Sequence, residues 1–165
     1  MKKTKKLALL AVLAAAAMVL SFVESQIPAF VAIPGVKIGL ANIAVIVALY
    51  RLGPWEAAAV SGVRVVVVSM LFGNLAAFMY SLAGAALSLC GMALLKRSGA
   101  FSCTAVSVCG GVLHNLGQIA MACVLLGTNS IAYYLPFLVL SGTISGAVIG
   151  LASALLTERL GKAGL

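Results

Sequence analysis

Arg64 is the residue most able to do chemistry, because it lies within a long apolar run between Val63 and Val65. A guanidinium stays protonated in proteins, so its positive charge must be compensated by solvent or by polar or anionic partners wherever it lies. At the centre of a membrane helix it costs at least about 2.5–3.5 kcal/mol on insertion scales, which makes it a candidate functional residue. It is suited to clamp two oxygens of a carboxylate or phosphate. The structural alternative is that it pairs with helix-end carbonyls or extends to the membrane surface.

A second polar group, His114, Asn115 and Gln118, interrupts a later apolar run. His114 and Gln118 are one helical turn apart and share a face. Three such groups facing lipid within one turn would be very costly, so we expect them to face the interior and contact a ligand. Hydrogen bonding between helices, worth under about 1 kcal/mol per bond on average, is the alternative.

Further polar residues stand near the ends of apolar runs. Prolines and glycine in residues 24–39 predict a structured loop, after which Lys37 and Asn42 open the next run. Backbone N–H groups at a helix start attract anions, and Lys37 strengthens that attraction, although Lys37 as a membrane-surface anchor is the alternative. Glu24 is expected to offset Lys37 or Arg64.

Tyr80 and Ser81 begin another polar face. Tyr80 either belongs to the aromatic belt of the membrane surface or stacks on a ring of a ligand. Ser81, Gly84 and Ser88 share one helix face by their spacing. That small, hydroxylated face suits either a helix contact or the wall of a polar cavity.

The elements that must position these residues are membrane helices. The chain is 64% hydrophobic and 8% charged, whereas soluble domains carry roughly 25% charged residues. No polar linker divides it, which predicts a single transmembrane domain over 1–165 with a short basic tail, 1–6. The net charge of +8 does not indicate nucleic acid, because the basic residues separate the apolar runs instead of forming one face.

The apolar runs predict an all-α integral membrane protein, a bundle of six transmembrane helices. The predicted spans are 7–22, 38–50, 57–72, 76–95, 104–126 and 135–157. The second and third are shorter than the roughly 20 residues that cross a bilayer. One of them as a re-entrant segment, or both as a hairpin that does not fully cross, are the alternatives.

The basic residues predict the orientation. Of 11 lysines and arginines, all except Lys37 and Arg64 fall on one side if the spans alternate. The positive-inside rule makes that side the cytoplasm, with both termini inside and the protein in the bacterial plasma (inner) membrane as a multi-pass protein. The first span also resembles a signal peptide, but its removal would invert the charge alternation, so we expect it to be retained.

Cysteines and small residues predict packing. The cysteines are Cys90, Cys103, Cys109 and Cys123. They form no CxxC pair and the chain has 1 histidine, so no metal site or cofactor is expected.

Two stripes of small residues permit close helix approach. Gly142, Gly146 and Gly150 form a flat face that suits packing within the bundle or against a partner. Ala11 and Ala15 form a similar stripe in the first span.

Several of these motifs together resemble one family. They are Pro34-Gly-Val-Lys-Ile-Gly-Leu-Ala-Asn42, Arg64, Tyr80-Ser-Leu-Ala-Gly84 with Ser88, and Gly111-Val-Leu-His-Asn-Leu-Gly-Gln118. They resemble, over roughly 7–157, the heptaprenyl diphosphate synthase component I family, also called the Gx transporter family. That family in turn is similar to the substrate-binding S components of energy-coupling factor (ECF) vitamin transporters.

The resemblance implies six helices with both ends cytoplasmic and a transmembrane coupling subunit, with its ATPases, docked on Ala11 and Ala15. It also implies, as an alternative partner, a prenyl synthase or a flavoprotein-like domain in extracellular electron transfer.

An enzymatic role is not expected. Prenyl diphosphate synthases hold Mg²⁺–diphosphate through aspartate-rich motifs, since hard cations prefer carboxylate oxygens. This chain has no aspartate, its glutamates (Glu24, Glu56 and Glu158) are far apart, and it has no phosphate-binding GxxxxGK[ST] loop.

We therefore interpret the chain as a substrate-binding membrane subunit for a small anionic or polar ligand. A non-catalytic accessory of isoprenoid-quinone or flavin-linked electron transfer is the second interpretation, and a membrane scaffold is the third, disfavoured by Arg64.

Overall fold

The computed structural model describes residues 3–26 and 39–163. Its helices are α1 (Lys3–Gln26), α2 (Asn42–Arg51), α3 (Pro54–Phe72), α4 (Leu75–Ser98), α5 (Cys103–Leu126) and α6 (Leu135–Lys162), with a short 3-10 helix at Ser130–Tyr134. No strand occurs within those two ranges, so the all-α prediction is confirmed there. Of the described helices, 5 are long and apolar enough to cross a membrane.

The short helix α2 lies at the centre of the bundle. It has 10 residues, which gives a length of about 15 Å against a hydrocarbon core of about 30 Å. Every residue from Ala44 to Leu49 is buried, and α1, α3 and α6 pack around it. A helix that is apolar on all sides lies in a protein core or spans a membrane, and burial by neighbouring helices assigns α2 to the core. Within the predicted second span, 38–50, the structure has a core helix at Asn42–Arg51 that is too short to cross by itself, and a sixth crossing remains a prediction.

Local signals fix where the long helices begin and end. Asn74 caps α4, because its side chain accepts a hydrogen bond from the Ala77 N–H at 2.8 Å. Ser102 caps α5 in the same way through Ala105 at 3.2 Å. Gly99 ends α4 with a φ of 69°, a left-handed conformation that glycine adopts without strain. These caps produce the tight connection that places α5 against α4.

Glycines bring α5 and α6 into close contact. A Cβ placed at Gly146 would lie 2.7 Å from Val108 Cα, and one at Gly150 would lie 2.7 Å from Thr104 Cα. Gly142 faces the backbone of Gly111 on α5. We call Gly111, Gly142, Gly146 and Gly150 the glycine seam. Of the two interpretations of the glycine stripe, the structure shows packing within the bundle.

Five helix ends meet at one end of the bundle, and basic residues of α1, α2 and α4 make the contacts there. Lys6, near the start of α1, pairs with Glu56 in the first turn of α3. Lys96, in the last turn of α4, donates to the Leu49 carbonyl of α2 at 2.5 Å. Arg51 Nη1, at the end of α2, lies 3.4 Å from a Cβ placed at Gly161 in α6. We call this the basic end.

Candidate functional site

A cavity of about 30 Å³ lies inside the bundle, between α2 and α3 on one side and α4, α5 and α6 on the other. Its lining residues are Gly39, Asn42, Ile46, Arg64, Ser88, Met92, Ser107, Gly110, Gly111, His114, Asn115, Ser145, Gly146 and Ile149. The fold therefore brings Arg64 and the His114–Asn115 pair, which are far apart in sequence, to the same space.

Arg64 is held in this cavity by Asn42. The guanidinium Nη1 donates to Asn42 Oδ1 at 3.0 Å, and Asn42 is the first residue of α2. Arg64 itself is half-buried on α3. Because α2 is fixed in the core, this bond fixes the position of the guanidinium.

A chain of hydrogen bonds continues from Asn42 to α1. The Asn42 N–H donates to the Gly39 carbonyl at 2.8 Å, and the Gly39 N–H donates to Glu24 Oε1 at 2.5 Å. Gly39 has a φ of +77°, and a Cβ there would lie 3.1 Å from Asn42 Nδ2. A side chain at this position would thus strain the backbone and press on the residue that holds Arg64.

The charge of Arg64 is offset only at a distance. The Glu24 carboxylate interacts electrostatically with the guanidinium. Within residues 3–26 and 39–163, however, the ion pairs of 4 Å or less are Lys6–Glu56 and Lys162–Glu158. Arg64 therefore belongs to no ion pair in that part of the chain.

The opposite side of the cavity is lined by polar side chains. Ser107, which is 2% exposed, donates its hydroxyl hydrogen to the Gly146 carbonyl at 2.7 Å. Asn115 Nδ2 donates to the Leu138 carbonyl at 2.6 Å. The His114 ring approaches α4, with Cε1 3.2 Å from a Cβ placed at Gly84. Backbone carbonyls of α6 thus orient the α5 side chains.

The predicted site residues separate into two sets. Four of them line the cavity: Asn42, Arg64, His114 and Asn115. Glu24 is connected to Asn42 by hydrogen bonds through the backbone of Gly39. Gln118 lies one turn beyond His114, with Cγ 2.9 Å from a Cβ placed at Gly84. Tyr80 and Ser81 are half-buried on α4, outside the lining that the described residues form. Lys37 lies outside the described residues.

The sequence interpretation missed Ser107 and Ser145 on the far side of the cavity, whereas Ser88 on α4 was already part of the predicted small, hydroxylated face. Ser107 and Gly111 precede Asn115 by two turns and one turn, so they lie on its helix face. Extending the His114–Asn115 pattern backward along the helix would have found them. Ser145 has no comparable signal, because it joins the lining only through the glycine seam.

The size and polarity of the cavity limit what it can hold. A water molecule needs a cavity volume of about 10–15 Å³, so a cavity of about 30 Å³ accommodates two or three water-sized groups. Typical ligand pockets measure about 300–1,000 Å³. The cavity therefore has room for one functional group of a ligand, with a cation on one side and hydroxyl oxygens on the other.

Apolar helices of membrane-crossing length, packed around a polar cavity, define a multi-pass membrane protein. The family model described as "Heptaprenyl diphosphate synthase component I" matches residues 13–156, which is most of the chain, so the chain belongs to that family. The resemblance noted from the motifs is thereby confirmed. No curated protein and no solved structure matches the chain.

Proposed function

We propose that the protein is a substrate-binding membrane subunit, similar to the S component of an ECF transporter. It takes up a small anionic or polar ligand with the help of a partner ATPase module. The observation that carries this proposal is Arg64 in an interior cavity, fixed by Asn42 and paired with no carboxylate within 4 Å in the described residues. A cation kept inside an apolar bundle needs an anionic complement, and a ligand supplies it.

Different residues are proposed to bind different groups of the ligand. Arg64 binds the anionic group, and Asn42 holds the guanidinium in position. His114 and Asn115 orient neutral polar groups of the ligand from the other side. The sequence pattern adds Lys37, Tyr80, Ser81 and Gln118 to the proposed site, although Tyr80 and Ser81 lie outside the lining that the described residues form. No chemical step on the ligand is proposed, in keeping with a chain that contains no aspartate.

The decisive experiment is mass spectrometry of small molecules that co-purify with the protein in mild detergent. Wild-type protein should carry an enriched compound that is greatly reduced in Arg64→Lys and lost in Arg64→Met. Lysine keeps the charge but cannot bind two oxygens side by side. Arg51→Lys, at the basic end, is the matched control and should keep the compound.

Two results would contradict the proposal. One is that Arg64→Met keeps the compound at the wild-type level. The other is that Arg64→Met misfolds and Glu24→Gln restores its folding, because Arg64 would then be the structural partner of Glu24. Size-exclusion chromatography and circular dichroism report the folding of each variant.

In the proposed orientation, the basic end faces the cytoplasm, both termini are inside, and the chain crosses the plasma membrane six times. A single cysteine at Thr128, in a background without the native cysteines, should react with a membrane-impermeant reagent added outside intact cells. Reaction from the cytoplasmic side alone would reverse this orientation.

The proposed docking face for the coupling subunit is the outer surface of α1. Ala11 and Ala15 are exposed, whereas Leu9, Leu13 and Ala17 on the same helix are buried. Replacing both exposed alanines with leucine should weaken capture of a coupling subunit but leave the isolated protein folded. Leucine at Ala59 and Ala86, exposed alanines of α3 and α4, is the control, and equal capture by both double variants would argue against the docking face.

The description of the matched family favours a second candidate, a non-catalytic membrane accessory in isoprenoid-quinone synthesis or flavin-linked electron transfer. The partners captured with wild-type protein discriminate between the two. An ATPase with a transmembrane coupling subunit supports transport, whereas a prenyl synthase or a flavoprotein supports the accessory role.

A further inference from the structure

We infer that the ligand of the proposed site carries a carboxylate, and that this carboxylate occupies the interior cavity against Arg64. The inference rests on the proposed function, since it names the chemical class of that ligand. Its first support is size. About 30 Å³ holds two or three water-sized groups, which suits a planar group of three heavy atoms.

The second support is the donor pattern of Arg64. A guanidinium has five N–H groups in a fixed fork. The bond from Nη1 to Asn42 Oδ1 uses one of them and restrains one end of the fork. The remaining N–H groups suit the two parallel hydrogen bonds that a carboxylate accepts. Asn42 thus acts as a positioning residue for the anion.

The third support is the acceptor on the far side of the cavity. Ser107 is the most buried serine of the lining, and its single hydroxyl hydrogen goes to the Gly146 carbonyl. What Ser107 presents to the cavity is therefore an oxygen lone pair. A phosphate group has three strongly accepting oxygens that need donors on several sides. A carboxylate directs both of its oxygens to one side, which matches a cavity whose cation lies on one side.

The test measures the unfolding midpoint of the purified full-length protein in mild detergent. The probes are sodium acetate, inorganic phosphate and methylammonium chloride, each at the same ionic strength. Acetate at ten times its Kd should raise the midpoint by about 3–6 °C, whereas the other two should have no effect beyond sodium chloride. Arg64→Gln should abolish the acetate response, and Arg51→Gln, outside the cavity, should keep it.

Ser145→Val provides a second test should Arg64→Gln fail to fold. Ser145 lines the cavity and is half-buried, so the added methyl group takes up part of the space. The acetate Kd should rise at least tenfold in this variant. An unchanged Kd would show that acetate binds elsewhere and would overturn the inference.

The remaining outcomes separate the inference from the proposed function. A phosphate response equal to the acetate response, an equal acetate response in Arg64→Gln, or no acetate response in wild-type protein overturns the carboxylate assignment. A co-purifying compound that depends on Arg64 but has no carboxylate overturns the inference and leaves the proposed function standing. An Arg64-dependent acetate response without any co-purifying compound supports the anion site and removes support from the function.

Discussion

The two sides of the interior cavity are built in opposite ways. On the α2–α3 side, a hydrogen bond between side chains joins the two helices, because Arg64 Nη1 donates to Asn42 Oδ1 at 3.0 Å. On the α5–α6 side, the helices approach closely because glycines have no side chains, and a Cβ at Gly146 would lie only 2.7 Å from Val108 Cα. The first side carries a charge, and the second lets two backbones meet. Substitutions on the first should therefore affect binding, and those on the second should affect folding.

The largest effect is expected from the glycine seam. Gly146→Ala places a methyl group against the backbone of Val108 and Ser107, which helices can relieve only by moving apart. Overpacking of this kind costs about 1–3 kcal/mol. Gly62→Ala is the matched control, since a Cβ at Gly62 meets nothing within 4 Å. Alanine is favoured over glycine in a helix by roughly 1 kcal/mol, so the control should be neutral or more stable.

The midpoint of unfolding in detergent, measured for both variants, checks this contrast. Gly146→Ala should unfold at a lower temperature than wild-type protein, and Gly62→Ala at the same or a higher one. A shift of equal size and sign in both variants would show that the glycine seam does not hold α5 against α6.

An intermediate effect is expected from the charged side. Asn42→Asp keeps the size of the side chain and strengthens its bond to Arg64, but it adds a negative charge 3.0 Å from the guanidinium. That charge competes with an anionic ligand, so the acetate Kd should rise at least tenfold, a change of about 1.4 kcal/mol. The folded state should be retained.

Asn74→Asp is the matched control for this substitution. Asn74 caps α4 through Ala77 and does not line the cavity, and aspartate caps a helix about as well as asparagine. Acetate binding to Asn74→Asp should equal that of wild-type protein. Tight acetate binding to Asn42→Asp would show that the anion does not meet Arg64.

The two sides of the cavity also differ in how much of their structure could be predicted from the sequence. Arg64 and the His114–Asn115 pair were predicted individually, because polar groups inside apolar runs are costly and conspicuous. The bond between Arg64 and Asn42 was not predicted, since it joins two helices through a contact that no spacing encodes. The glycine stripe was predicted as a packing face, but its neighbour on α5 became apparent only from the structure.

Helix α2 shows that the sequence also left part of the fold unpredicted. Its apolar character placed a helix at 38–50, and the structure has it at Asn42–Arg51. Hydropathy reports that a segment avoids water but does not distinguish lipid from a protein core. The burial of Ala44 to Leu49 by neighbouring helices is a tertiary property, so the sequence alone predicted an apolar helix here but not its place in the core of the bundle.

The smallest effect on acetate binding is expected at Gly39, which lies next to the residue that holds Arg64. Gly39 has a φ of +77°, and a Cβ there would lie 3.1 Å from Asn42 Nδ2. Gly99 also has a positive φ, +69°, but a Cβ there meets nothing within 4 Å. Alanine at either position should cost about 1–2 kcal/mol of stability through the left-handed backbone. Only Gly39→Ala should also displace Asn42 and with it the guanidinium of Arg64.

Comparing the two variants by unfolding midpoint and by acetate titration separates these contributions. Both should lose similar stability, whereas acetate binding should weaken about two- to fivefold in Gly39→Ala alone, a change of about 0.4–1 kcal/mol. If Gly99→Ala weakens acetate binding as much, the loss comes from general destabilisation. Gly39 would then shape the backbone without any part in holding Arg64.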